Sequence, residues 1–204
     1  TLFRSYFEES KGFQVQTSRL YAQILAPGII SPYDDYFKQY AKEFNLDWRL
    51  LASVGYQESN FNYEGKSWAG AIGIMGLMPA TALAMGIEGD DLYDPEMNIR
   101  AGVAYLRELI DKFSSVPDRD ERIKLALASY NGGIGHVLDA RALAEKYEAN
   151  KDVWEGNVEL YVHLKRYPEY YNDPVCTAGY FRGDETIDYV NEVMRRWQVY
   201  MSKV

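Results

Sequence analysis

The chain has 204 residues, 47 % of them hydrophobic, enough for one domain with a sizeable core or one domain plus a terminal extension. A net charge of −8 argues against nucleic acid, whose phosphates need clustered Lys and Arg, and against a basic membrane-surface protein. The single cysteine, Cys176, rules out an internal disulfide and a cysteine metal cluster; His136 and His163 lack metal-ligand spacing, so no metal or other cofactor is expected.

Rings make up 15 % of the chain, with 18 Tyr and 4 Trp; such side chains line sugar-binding clefts but more often fill cores. No apolar run reaches the roughly 18 residues that would span a membrane. Thr1-Leu2-Phe3-Arg4 has none of the pattern of a secretory signal, and the missing initiator Met points to a matured chain or a fragment.

Helical periodicity dominates from residue 31 onward. Residues 1–30 carry no clear pattern and break at Pro27-Gly28. After Pro32, Tyr33, Phe37, Tyr40 and Phe44 recur at helical spacing. Asp47 is placed to cap a second helix with Leu50, Leu51 and Val54 on its apolar face. Residues 59–81, rich in Gly, Asn and Ser, read as a long ordered loop running into a short helix. Asp94-Pro95 opens a further helix with the stripe Ile99, Val103, Leu106, Ile110 and Phe113. A charged linker near Pro117 leads to a helix over Glu121–Tyr130, which Asn131-Gly132-Gly133 stops. Another follows at Ile134–Tyr147. Residues 150–183 read as irregular with short helical pieces. Asp184 caps a last helix whose expected inward face is Ile187, Val190, Met194, Trp197 and Met201.

Glu58 stands out chemically. It lies four residues after Val54 and seven after Leu51, on the extension of that helix's apolar stripe. A carboxyl group there is partly desolvated, which raises a pKa and suits a general acid; if the helix frays at Ser59-Asn60, Glu58 is instead in water. Tyr130 and Asn131 sit at a helix end where glycines allow close backbone approach, although Tyr130 there also reads as a core residue. Tyr189 lies off the expected main stripe of the last helix, beside Val193 and Tyr200. Gly70, Gly73 and Gly76 do not form a phosphate loop, because no strand precedes them and no Lys-Ser/Thr pair follows.

Taken together, the chain resembles the lytic transglycosylases of the goose-type-lysozyme-like superfamily. The resemblance rests on five ordered motifs across roughly residues 32–200. Glu58-Ser59-x-Phe61-Asn62 resembles the catalytic signature. Ser67-x-x-Gly70-Ala71-x-Gly73-x-Met75 and Met78-Pro79-x-Thr81 follow it. Next come Asp94-Pro95-x-x-Asn98-Ile99-x-x-Gly102-x-x-Tyr105-Leu106 and Ala128-x-Tyr130-Asn131-x-Gly133. Glu185-Thr186-x-x-Tyr189-Val190 closes the series. The segments Trp48–Ala52, His136–Arg141 and Gly179–Gly183 narrow it to a membrane-attached branch carrying an upstream domain that resembles periplasmic solute-binding proteins.

The resemblance implies an all-α, lysozyme-like domain with a deep substrate cleft, acting on peptidoglycan glycan strands. It implies a periplasmic place, attached to the outer membrane in the full-length protein, with the upstream domain as a regulatory partner; residues 1–30 would then be the connecting segment and 31–204 the catalytic domain. Glu58 would be acid and then base. Ser67 would bond near it, Met75 would form an apolar wall, Tyr130 would steady the region, Asn131 would position a substrate amide, and Tyr189 would reach in from the last helix. Two-carboxylate glycosidases flank the scissile bond with a pair of acids; between Ser59 and Thr81 the only other acid is Glu64, at no motif position. Ring closure to a 1,6-anhydro end follows from the resemblance, with a hydrolysing muramidase or a non-catalytic peptidoglycan-binding module as alternatives. In one place the chain departs from the family: many relatives have Gln where Gly76 stands, so a polar contact to the sugar is expected to be absent or supplied elsewhere.

Overall fold

The structure, a computed structural model, describes residues 28–204, so nearly all of the expected connecting segment over 1–30 lies outside the described residues. Among the described residues the chain is helical, without strands; Lys66 with Ile72 and Ile72 with Leu77 form isolated bridges. Its residues group into two compact units, one running up to Val103 and including Trp197–Val204, the other spanning Ala104–Arg196.

The first unit holds α1 (Asp34–Phe44), α2 (Trp48–Ser59), α3 (Pro79–Ala84), a 3-10 turn at Gly89–Tyr93 and the first half of α4 (Pro95–Lys112). The Asp34 carboxylate starts α1 by accepting from the N–H groups of Ile30 and Ser31 at 2.8 Å. Helices α1 and α2 pack together, and Phe37 and Tyr40 of the first and Leu50, Leu51 and Val54 of the second are buried. The expected cap is present: Asp47 accepts from the Arg49 N–H at 2.8 Å. Pro79 occupies the first turn of α3, where its missing N–H costs nothing. Asp94 in turn accepts from the Met97 N–H at 2.9 Å and opens α4 as expected.

The second unit contains the rest of α4, then α5 (Arg119–Gly132), α6 (Ile134–Lys146), a π-type turn at Trp154–Val158, α7 (Glu159–Leu164), α8 (Pro168–Tyr171) and most of α9 (Asp184–Lys203). The whole expected α4 stripe, from Ile99 to Phe113, is buried. Helix α5 begins before the expected Glu121, because Asp118 caps it through the N–H groups of Asp120 and Glu121. It ends at Gly133, whose φ of 90° is open to glycine. Helix α6 packs on α5 and on α7.

The last helix corrects the sequence reading. Its buried residues include Thr186, Tyr189, Val190, Val193 and Trp197, whereas Ile187 and Met194 are half-exposed and Met201 is exposed. Tyr189 therefore belongs to the inward face. The close approach at Gly132 selects that face: a Cβ there would lie 2.7 Å from the Thr186 hydroxyl, so α5 leaves room for Thr186 only because it ends in glycine. Asp184 is the first residue of α9 rather than its cap, and its carboxylate binds His163 at 2.9 Å and also Arg166.

Candidate active site

In the first unit, α2 stays helical through Ser59, so Glu58 stands in its last turn and is half-buried; the frayed alternative does not occur. The chain leaves the helix through two left-handed residues, Asn60 (φ 56°) and Phe61 (φ 63°). Such backbone is costly for a bulky residue and persists only where packing over-determines it. Here the Phe61 ring lies edge-on to Tyr56, centroids 5.7 Å apart, and 6.2 Å from Phe37.

Glu58 meets a tight turn, residues 72–77. Ile72 and Leu77 exchange backbone bonds of 2.9 and 3.0 Å, and the Gly76 N–H donates to the Gly73 carbonyl at 3.1 Å. Two buried side chains pin the turn. The Ser59 hydroxyl donates to the Ile74 carbonyl at 2.8 Å. Asn98, 1 % exposed, accepts from the Met75 N–H at 2.8 Å and donates to the carbonyls of Ile72 at 3.2 Å and Leu92 at 2.8 Å. Asn98 entered the sequence reading only as a motif letter; its three-way role is visible only in the fold. Gly73 is bare because a Cβ would lie 2.6 Å from the Asn98 amide carbon.

Met75 is wholly buried, its backbone held by Asn98 and its side chain filling the space left by Gly102. It is a floor beneath the turn and presents no exposed wall. Ser67, by contrast, is exposed in the loop ahead of the turn: its hydroxyl accepts from the Ala71 N–H at 3.0 Å, which leaves its own O–H to donate. Glu64 is exposed and accepts from the Tyr63 hydroxyl at 3.2 Å.

Tyr130, Asn131 and Tyr189 lie in the second unit. Tyr130 is half-buried at the end of α5, its ring 5.2 Å from that of Tyr105. Asn131 is exposed; its side-chain oxygen accepts from the Thr186 hydroxyl at 2.7 Å, leaving the amide N–H groups to donate. Tyr189, one turn beyond Thr186 on α9, is buried. This unit also holds a buried cluster: Lys165 is paired with Asp139 and lies 3.2 Å from His136 Nδ1. Asp139 entered the sequence reading only as a letter of a resembling segment, His136 there and as a histidine without metal-ligand spacing, and Lys165 not at all.

The transglycosylase SLT domain family matches residues 35–153. Membrane-bound lytic murein transglycosylase F of Photobacterium profundum is 36 % identical over 97 % of this chain, and that of Yersinia enterocolitica is 43 % identical over 80 %. The matches cover 37 % and 32 % of those relatives, so the chain spans about a third of their length. Among solved structures, lytic transglycosylase Slt of Pseudomonas aeruginosa, as an inactive variant, matches 84 % of this chain and 24 % of its own, with a TM-score of 0.59 at 24 % identity. The 70-kDa soluble lytic transglycosylase of Escherichia coli covers 83 % of this chain, and the match spans 24 % of its own, at a TM-score of 0.55 and 24 % identity. At that identity the likeness carries the fold alone, and the fold is the helical, lysozyme-like one expected. By the family match over more than half its length, the chain belongs to the transglycosylase SLT domain family.

Proposed function

We propose that this chain is the catalytic portion of a peptidoglycan lytic transglycosylase. It cleaves the β-1,4 bond between N-acetylmuramic acid and N-acetylglucosamine and leaves a 1,6-anhydromuramic end. The observation that carries this reading is Glu58, half-buried at the end of α2 and seated against a pinned turn, in a chain of the SLT family. The names of its relatives, lytic murein transglycosylases, support the substrate class.

In the proposed reaction Glu58 gives its proton to the glycosidic oxygen as the bond to the muramic anomeric carbon breaks. The substrate's N-acetyl group supports the charge developing at that carbon. The muramic 6-hydroxyl then bonds to the same carbon and returns its proton to the Glu58 carboxylate, so no water is consumed and the enzyme is regenerated. One carboxyl serving as acid and then base fits a loop whose other acid, Glu64, is committed to the surface. Ser67 would donate its free O–H near the acid, and Asn131 would donate its amide to the substrate. Tyr130, Tyr189 and Met75 would act as supports, which suits their burial. The full-length protein would work in the periplasm at the outer membrane, with residues 31–204 following a solute-binding-like regulatory domain. No described helix is long and apolar enough to cross a membrane.

The test is mass spectrometry of soluble products from purified cell wall, with the wild type and Glu58→Gln. The wild type should release muropeptides lighter by one water than reducing-end products. Glu58→Gln should lose about a hundredfold or more of that release while keeping its melting temperature. Reducing-end products would instead establish a muramidase. Near-normal release by Glu58→Gln would remove Glu58 from the mechanism.

A further inference from the structure

We propose that Gly76 is a positioning residue for the acid: the bare backbone at this point of the turn sets where the Glu58 carboxyl stands. The inference rests on Glu58 being the catalytic acid. A Cβ built on Gly76 would lie 3.0 Å from both Cβ and Cδ of Glu58 and closer still to Oε2. A side chain at position 76 and the carboxyl in its present place thus exclude each other.

The turn cannot yield to relieve such a clash. Its ends are closed by the Ile72–Leu77 bonds, its Ile74 carbonyl is held by Ser59, and its Met75 N–H is held by Asn98. Ile74 and Met75 are wholly buried beneath it. With the floor fixed, a new side chain displaces the Glu58 carboxyl, in the last turn of α2. Proton transfer to a glycosidic oxygen depends on hydrogen-bond geometry, and a misplacement of about 1 Å costs roughly a hundredfold in rate.

Gly76 also has φ 58°, a region that favours glycine, so a substitution there carries backbone strain as well as contact. Gly89 separates the two effects. It has φ 59° in the same unit, and a Cβ built on it meets nothing within 4 Å. Gly89→Ala therefore reproduces the strain without touching the acid.

The experiment compares Gly76→Ala, Gly76→Asn, Gly89→Ala and Glu58→Gln in release of soluble muropeptides from cell wall, with kcat, KM, the pH–rate profile and the melting temperature. Asn accepts left-handed backbone readily and keeps the Cβ, so Gly76→Asn carries the test should Gly76→Ala fold poorly. Both Gly76 variants should lose about ten- to a hundredfold in kcat with KM little changed and a displaced pH–rate profile. Gly89→Ala should keep the wild-type kcat and profile with a comparable fall in melting temperature. Wild-type kcat and pH profile in either Gly76 variant would overturn the inference, as would an equal kcat loss in Gly89→Ala. An inactive Glu58→Gln beside fully active Gly76 variants would leave the acid standing and defeat this inference alone; an active Glu58→Gln would overturn both.

Discussion

Lys165 and Asp139 form an ion pair shut away from water, with side-chain exposures of 0 % and 3 %. The Asp139 carboxylate is otherwise satisfied by the N–H groups of Thr177 and Ala178, each at 2.9 Å, and by the Thr177 hydroxyl at 3.3 Å. The Lys165 carbonyl accepts from the Phe181 N–H at 3.2 Å. The pair thus ties the irregular segment after α8 to α6 and α7.

Asp139→Ala should destabilise the protein by about 3–5 kcal/mol, because it strands the Lys165 ammonium in the interior. The double variant Asp139→Leu with Lys165→Met should recover much of that loss, since it removes both charges and restores volume. Denaturant unfolding measures both; a single variant within about 0.5 kcal/mol of wild type would mean the pair is open to water in solution.

Stability should also report on His136. Burial, and then the neighbouring Lys165 charge, hold its pKa below the ordinary 6.5, partly offset by Asp139. A depressed value in the folded state means that the unfolded chain takes the proton first as pH falls. This contribution is therefore full above 6.5 and is lost as pH drops through the folded-state pKa. His136→Phe, which keeps a ring against Phe181, should flatten the melting temperature between about pH 7.5 and 5 relative to wild type. An unchanged slope would exclude His136 as its source.

Asn98→Ala should cost at least about 2 kcal/mol, since it takes this buried partner from the Met75 N–H and the Leu92 carbonyl, and one of two donors from the Ile72 carbonyl, which keeps the Leu77 N–H. In a chain of this size that is a fall of roughly 4–8 °C in melting temperature. Asn98→Asp should not rescue it: one oxygen still accepts from Met75, but the other would face two carbonyls. Calorimetry of the two variants checks this, and recovery by Asp would show that the donated bonds contribute little.

Much of this fold could be read along the chain. Asp47 and Asp94 cap where short-range chemistry puts them, Gly133 ends α5, and the α4 stripe is buried throughout. Each feature depends on residues within one or two turns of each other. The inward face of α9 was misread because Thr186 and Tyr189 rank as polar or amphipathic, and only Gly132 on another helix chooses between two plausible stripes.

By itself the sequence determined the helical class, the order of the motifs and Glu58 as the candidate acid, because periodicity and capping act over a few residues. Only the tertiary structure decided that the Glu58 carboxyl lies against Gly76, that Met75 is floor rather than wall, and that Lys165 is sealed by Asp139. Those relationships join residues far apart in the chain. Close packing fixes the first two, and the cost of an unpaired charge in the interior fixes the third.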